Sequence, residues 1–246
     1  MDGESALKRA WLFINNVVNN ALRQNDDMDQ ARRKNPARAA RLSPAARRAQ
    51  LLTCALRAFA EAGVSRGTHA DVARLAEVSV PTVFVYFPTR ELLVDAVLTE
   101  VARFILDDVL APVQTRAAPV PELLVQTGLA FTEAVGSHPD HARVWLDWST
   151  AFRGDVWPRY VEFQERVVGL LKATVTRGKR DGSLARNLDA DDATRLLVGS
   201  AHMLAQMTYM GRETRQIERF LRTLIDGFRP PDVTPKATTT RRRAPR

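Results

Sequence analysis

The chain has 246 residues, 45% of them hydrophobic and 26% charged, with a formal net charge of +8 and one cysteine, Cys54. That apolar content supports one large domain or two modest ones and excludes a wholly disordered polypeptide. A single cysteine excludes an intrachain disulfide and favours a reducing, cytoplasmic setting.

The positive charge is unevenly placed. Basic against acidic residues number 8 and 5 over residues 1–42, 22 and 22 over 43–228, and 6 and 1 over 229–246. A neutral core with basic arms suits a protein that positions itself on nucleic acid through phosphates. The abundance of Ala, Leu, Arg and Glu predicts an all-α fold.

Along the first 27 residues, Leu7, Trp11, Ile14, Val18 and Leu22 share one helical face, but Asn15, Asn16, Asn19 and Asn20 interrupt it. No run approaches the ~20 apolar residues of a membrane span, so no membrane partner is expected. Residues 1–42 read as a mostly disordered extension, with translation starting at Met28 as the simplest expectation. Its end, 31–42, is a basic arm. Between Ala31 and Gln50 seven basic residues occur and no acidic ones, and Pro36 holds the first part extended.

Ser43 and Pro44 open a first helix as N-cap and first helical residue, Leu52, Leu56 and Phe59 give it a core stripe, and Gly63 ends it. Thr68 caps a second helix with Val72, Leu75 and Ala76 on its inner face. After the turn Glu77-Val78-Ser79, Ser79 caps a third helix that has Pro81 in its first turn, where a missing N–H costs nothing. Val83 and Phe87 face inward there, leaving Pro81, Thr82, Val85 and Tyr86 outward. An outer face of apolar and hydroxyl side chains suits a major groove, where hydroxyls reach phosphates and Val or Pro meets thymine methyl groups. Phe87-Pro88-Thr89 stops this helix, and Thr89 caps the next, with Arg90 placed as a phosphate clamp. His69 opens the second helix as a phosphate or sugar contact. The DNA-binding set is Arg38, Arg41, Ser43, Thr68, His69, Ser79, Val80, Pro81, Thr82, Phe84, Val85, Tyr86 and Arg90.

The run SVPTVFVYFPTRELLVDAV resembles the reader of the TetR family of transcriptional regulators. Together with Arg41-Leu42-Ser43-Pro44, Val144-Trp145-Leu146-Asp147-Trp148-Ser149 and Asp155-Val156-Trp157-Pro158, it is similar to the HapR and LuxR-type quorum-sensing branch. The resemblance covers most of residues 41 to 228. It implies an all-α chain with a three-helix helix-turn-helix domain over 43–90, a larger regulatory and dimerisation bundle over 91–228, and a near-palindromic operator bound by a homodimer. It further implies minor-groove use of the arm, with Arg41 matching by position and Arg38 one residue out of register. Where the branch usually has Asn before Tyr-Phe this chain has Val85, and Pro81 stands for a usual Ala.

Helix 4 is expected from Arg90 to about Leu110, followed by a loop from Ala111 to Pro121. Apolar periodicity then predicts helices near 121–136, 139–152, 155–179, 189–210 and 212–228, and a disordered basic tail over 229–246. Leu197, Ser200 and Leu204 on the penultimate helix, with Ile217, Phe220, Leu221 and Leu224 on the last, form stripes that serve equally for internal packing or, as the family implies, a dimer interface. Phe104, Phe131, Trp145, Trp148, Phe152, Met203 and Met207 are the candidate lining of a pocket for a small apolar effector, a composition a core also uses.

Catalysis finds little support. His138 and His141 are separated by Pro139 with no third ligand near, so no metal is expected. No cofactor loop appears, and no nucleophile has a base. The rival readings are a nonspecific DNA-compacting protein and, more remotely, a helical enzyme.

Overall fold

The structure is a computed structural model, described here for residues 42–152 and 154–230. The basic arm with Arg38 and Arg41, the Met28 start and the tail beyond 230 lie outside the described residues. The chain divides between Arg48 and Ala49. In the first unit, Ser43 caps the start of α1 (Pro44–Ala62), its Oγ accepting from the Ala46 N–H at 3.2 Å. The remainder below concerns the second unit.

All regular structure among the described residues is helical. Leu51, Ala55, Leu56, Ala58 and Phe59 form the buried stripe of α1. The helix ends at Gly63, whose φ of +89° favours glycine. Gly67 must also lack a side chain, because a Cβ there would lie 2.7 Å from the Phe59 ring. α2 (His69–Leu75) begins with a capping box: Thr68 Oγ1 accepts from the Asp71 N–H while Asp71 accepts from the Thr68 N–H.

The turn to α3 (Val80–Tyr86) passes through Glu77 at φ +53°, a left-handed conformation that costs a non-glycine residue roughly 1–2 kcal/mol. Ser79 occupies the N-cap, but its Oγ makes no cap bond. It pairs with Thr82 Oγ1 at 2.8 Å instead.

Thr89 caps α4 (Arg90–Arg103) by accepting from the Leu92 N–H. The expected stop near Leu110 does not occur there. The helix continues as a π-helical stretch, Phe104–Leu110, and then as one further α turn, Ala111–Gln114. Pro112 falls in the first turn of that last piece, where a missing N–H is cheapest, so it is tolerated where a loop was expected. Phe104, Ile105, Leu106, Val109 and Leu110 of the π stretch are all buried.

The remaining helices are α5 (Val120–Ser137), α6 (Pro139–Ser149), α7 (Trp157–Asp181), α8 (Ala190–Tyr209) and α9 (Thr214–Asp226). α7 stops at Gly182, φ +81°. α8 is capped by Asp189, which accepts from the Asp191 and Asp192 N–H groups. α5 lies at the centre of this bundle, packed against α6, α7, α8 and α9 and against the π stretch. No helix of the described residues is long and apolar enough to cross a membrane.

Candidate nucleic-acid interface and internal cavity

α2 and α3 pack together as a helix-turn-helix. Val83 and Phe87 are buried as the inner side of α3, at 0% and 1% exposure. On the outer side Val85 is 75% exposed, Phe84 45% and Val80 37%, with Pro81 also exposed and Thr82 and Tyr86 half-buried. Among these sequence-derived candidates, Ser79, Val80, Pro81, Thr82, Phe84, Val85 and Tyr86 therefore lie along one short segment. Thr68 is exposed at the start of α2.

Two expected DNA contacts have different surroundings. His69 is buried, 7% exposed. Its Nε2 donates to the Phe87 carbonyl at 2.7 Å and its ring stacks on Phe84 at 4.0 Å. His69 thus ties the start of α2 to the end of α3 from inside. Its position at the first residue of α2 turns the ring toward α3, a direction linear spacing did not reveal. Arg90 turns inward as well, its Nη2 donating to the Val64 carbonyl at 2.8 Å. A phosphate clamp would have to share that guanidinium with the turn after α1.

Val64 is held from both sides. While Arg90 engages its carbonyl, its N–H donates to Asp147 Oδ2 on α6 at 2.7 Å. The residue is 3% exposed, so both peptide groups depend on these partners. Nothing in the spacing of Asp147, 83 residues away, pointed to this bond.

Within the bundle, a cavity of about 80 Å³ lies among the π stretch, α5, α6, α7, α8 and α9. Phe131 and Trp145 line it as expected, and Phe104 joins them around a smaller adjoining hollow. The other expected lining residues do not. Trp148 is buried beside Tyr160 and Phe163, and its Nε1 donates to the Val156 carbonyl at 3.0 Å. Phe152, beyond the end of α6, is 66% exposed and rests on Trp157. Met203 is 47% exposed, and Met207 borders a separate surface hollow. The walls instead include Ile105 and Leu110 of the π stretch, with Tyr160 and Gln164 of α7, which a pattern of large aromatics and methionines could not single out.

The helical stripes resolve similarly. Leu204, Ile217 and Leu221 are 2–3% exposed inside the chain's own core, while Leu197 and Ser200 border the cavity. Of the two roles open to these stripes, Leu204, Ile217 and Leu221 serve internal packing. The stripe that α8 leaves uncovered is its neighbour: Leu196, 59% exposed, Met203 and Met210, 68% exposed. Gly199 lies between them, and a Cβ there would meet nothing. Offsets of 3, 7 and 14 from Leu196 keep all four on one face. Phe220 and Leu224 of α9 are half-buried.

Burial lowers the pKa of both His141 and His202 beneath the ordinary 6.5, with His138 adding to the effect at His141. His202 Nε2 donates to Ser149 Oγ at 2.9 Å, and its ring lies 4.6 Å from Trp145. Burial also pushes the Tyr160 hydroxyl up. Because the folded state resists protonating these histidines, the unfolded chain binds more protons once pH drops through 6.5, and stability falls with it. The melting temperature is therefore expected to decline between pH 7.5 and 5.5, and to decline less in His141→Phe/His202→Gln, as differential scanning fluorimetry across that range will read.

Among the described residues no group of three or more His, Cys, Asp or Glu is arranged to hold a metal ion. Cys54 is half-buried, and burial raises its thiol pKa, which disfavours the reactive thiolate.

Residues 51–97 match the bacterial regulatory proteins of the tetR family. The chain is 43% identical over 125 residues to the HTH-type transcriptional regulator LuxR of Vibrio harveyi. That alignment covers 49% of this chain and 58% of the relative. A TetR-like transcriptional regulator from Rhodococcus sp. RHA1 superposes with a TM-score of 0.62 at 22% identity, covering 75% of this chain and 96% of that one. The regulator FadR from Bacillus subtilis, solved in complex with stearoyl-CoA, gives 0.59 at 17% identity over 72% of this chain and 95% of its own. The match to the tetR family thus falls on the helix-turn-helix segment, and the described residues share the all-helical fold of the TetR-like regulator from Rhodococcus.

Proposed function

We propose that the protein is a cytoplasmic, sequence-specific DNA-binding transcriptional regulator that acts as a homodimer on a near-palindromic operator, without catalytic activity of its own. The observation that carries this reading is the exposed outer side of α3, Val80 to Tyr86, within the segment that matches the tetR family. A helix that leaves valine and phenylalanine in water has a partner to bury them against. The helix-turn-helix arrangement supports the major groove as that partner. Residues 43–90 form the reading domain and 91–228 the regulatory one, with the basic arm adding phosphate and minor-groove contacts.

The uncovered stripe of α8, Leu196, Gly199, Met203 and Met210, supports association with a second copy. Its small central residue allows close approach of two helices. Two readers set about 34 Å apart then occupy successive major grooves. The internal cavity supports control by a small apolar effector. Its lining residues include no charged side chain, so an uncharged molecule meets no desolvated partner charge there. An effector that favours one arrangement of α4 shifts the population of DNA-binding states by its differential affinity. Control by protein abundance, in the manner of quorum-sensing regulators, is the alternative when no effector is present.

Selection from a random duplex library at near-physiological salt tests the reading. A two-fold symmetric motif, lost with Tyr86→Ala, is the expected result. Binding without any enriched motif overturns it in favour of a nonspecific DNA-compacting protein.

A further inference from the structure

We infer that the reader recognises the C5-methyl groups of pyrimidines in the major groove, and that Val85 is the side chain that touches them. This deepens the proposed function and rests on α3 being the DNA reader.

The seven residues of α3 are Val, Pro, Thr, Val, Phe, Val and Tyr. None is Arg, Lys, Asn, Gln, Asp or Glu, so the helix has no bidentate partner for guanine or adenine and no acceptor carboxylate for cytosine. A hydroxyl carries one donor and so supplies no bidentate pair in their place. Ser79 Oγ and Thr82 Oγ1 are bonded to each other at 2.8 Å, and Tyr86 is half-buried. What the helix does present is hydrocarbon. Val85 is the most exposed large hydrophobic residue of the described chain, at 75%. Phe84 cannot swing freely into a groove, because its ring is stacked on the buried His69. His69 is in turn bonded to the Phe87 carbonyl, which fixes the stack to the end of α3.

The major groove offers one apolar feature on its base edges, the methyl at C5 of thymine. 5-Methylcytosine carries the same group at the same place. An isopropyl group delivered there removes both hydrocarbons from water, whereas against any other base edge it covers polar atoms without pairing them. The exposed Val85 therefore selects a methylated pyrimidine and rejects its unmethylated counterpart.

The experiment uses the full chain and the duplex it enriches from a random library. Each thymine of the motif is replaced in turn, on both half-sites, by deoxyuridine, which removes the methyl and leaves base pairing intact. Burying one methyl is worth about four-fold in affinity, so loss from both half-sites weakens binding by about fifteen-fold at the contacted position. With Val85→Ala that penalty shrinks to near unity. At the same position, 5-methyl-dC·dG binds about four-fold more tightly per half-site than dC·dG. Val85→Asn moves the enriched base toward adenine, the partner of a bidentate amide. A motif that is enriched yet indifferent to deoxyuridine at every thymine, or a penalty unchanged in Val85→Ala, overturns this inference and leaves the DNA-binding reading intact. Failure of methylation to improve the dC duplex overturns recognition of the methyl as such. Failure to enrich any motif overturns the proposed function, and this inference with it.

Discussion

Trp148→Ala lowers the unfolding free energy by about 3–5 kcal/mol, the range for removing a large aromatic from a packed core. The side chain is 2% exposed, among the largest fully buried side chains described. Its ring lies against Phe163 at 5.4 Å and Tyr160 at 5.6 Å, so truncation leaves a void between α6 and α7 that two rigid rings cannot fill. It also removes the donor to the Val156 carbonyl, in the segment that leads into α7. Trp148→Phe separates the two effects. It restores most of the volume but not the N–H, and is expected to cost only about 1–2 kcal/mol. For a chain of this length the alanine variant melts roughly 6–20 °C lower. Calorimetry checks both, and a Trp148→Ala melting point within a degree or two of the parent would contradict the packing described.

Asp147→Ala is the second large effect, and it acts across elements far apart in sequence. The carboxylate leaves α6 to accept the Val64 N–H, and Arg90 at the head of α4 holds the carbonyl of the same residue. Without Asp147 a buried N–H loses its partner, at a cost of about 1–3 kcal/mol. The expected local consequence is faster hydrogen exchange over residues 63–67, the turn between α1 and α2, with α7 and α8 unchanged. Asp147→Asn keeps an acceptor oxygen at the same reach and recovers most of the protection. If both variants exchange like the parent, Val64 is not held through this carboxylate. Because α6 carries Trp145 into the cavity wall, and the π stretch that continues α4 carries Ile105, the Val64 peptide joins these two neighbours of the cavity to the turn that supports α2.

Much of the helix-turn-helix segment is legible because its signals are local. Thr68 and Thr89 cap the helices they precede, Gly63 ends α1, and Pro81 opens α3, each through backbone chemistry that operates within four residues. The inward turn of Val83 and Phe87 follows from helical period alone. The same reasoning located the later helices to within a few residues.

What failed did so where two elements had to meet. His69 has a partner 18 residues on, Arg90 one 26 residues back and Asp147 one 83 residues back, and no periodicity encodes such pairings. On α8, two apolar stripes lie side by side, one through Leu197 and Leu204 and one through Leu196 and Met203. Amphipathicity shows that both exist, but only the packing of α8 on α5 and α7 decides which is core and which stays uncovered. The cavity follows the same rule. Its walls come from six helices, so membership depends on which face each turns inward, and Trp148 and Phe152 were excluded by a few tens of degrees or a helix end. The sequence by itself determined most of the helices, the caps at Thr68 and Thr89 and the chemistry of the outer face of α3, because those depend on neighbours along the chain. The tertiary structure decided which polar side chains face inward, which stripe is uncovered and what the cavity touches, because those depend on neighbours in space.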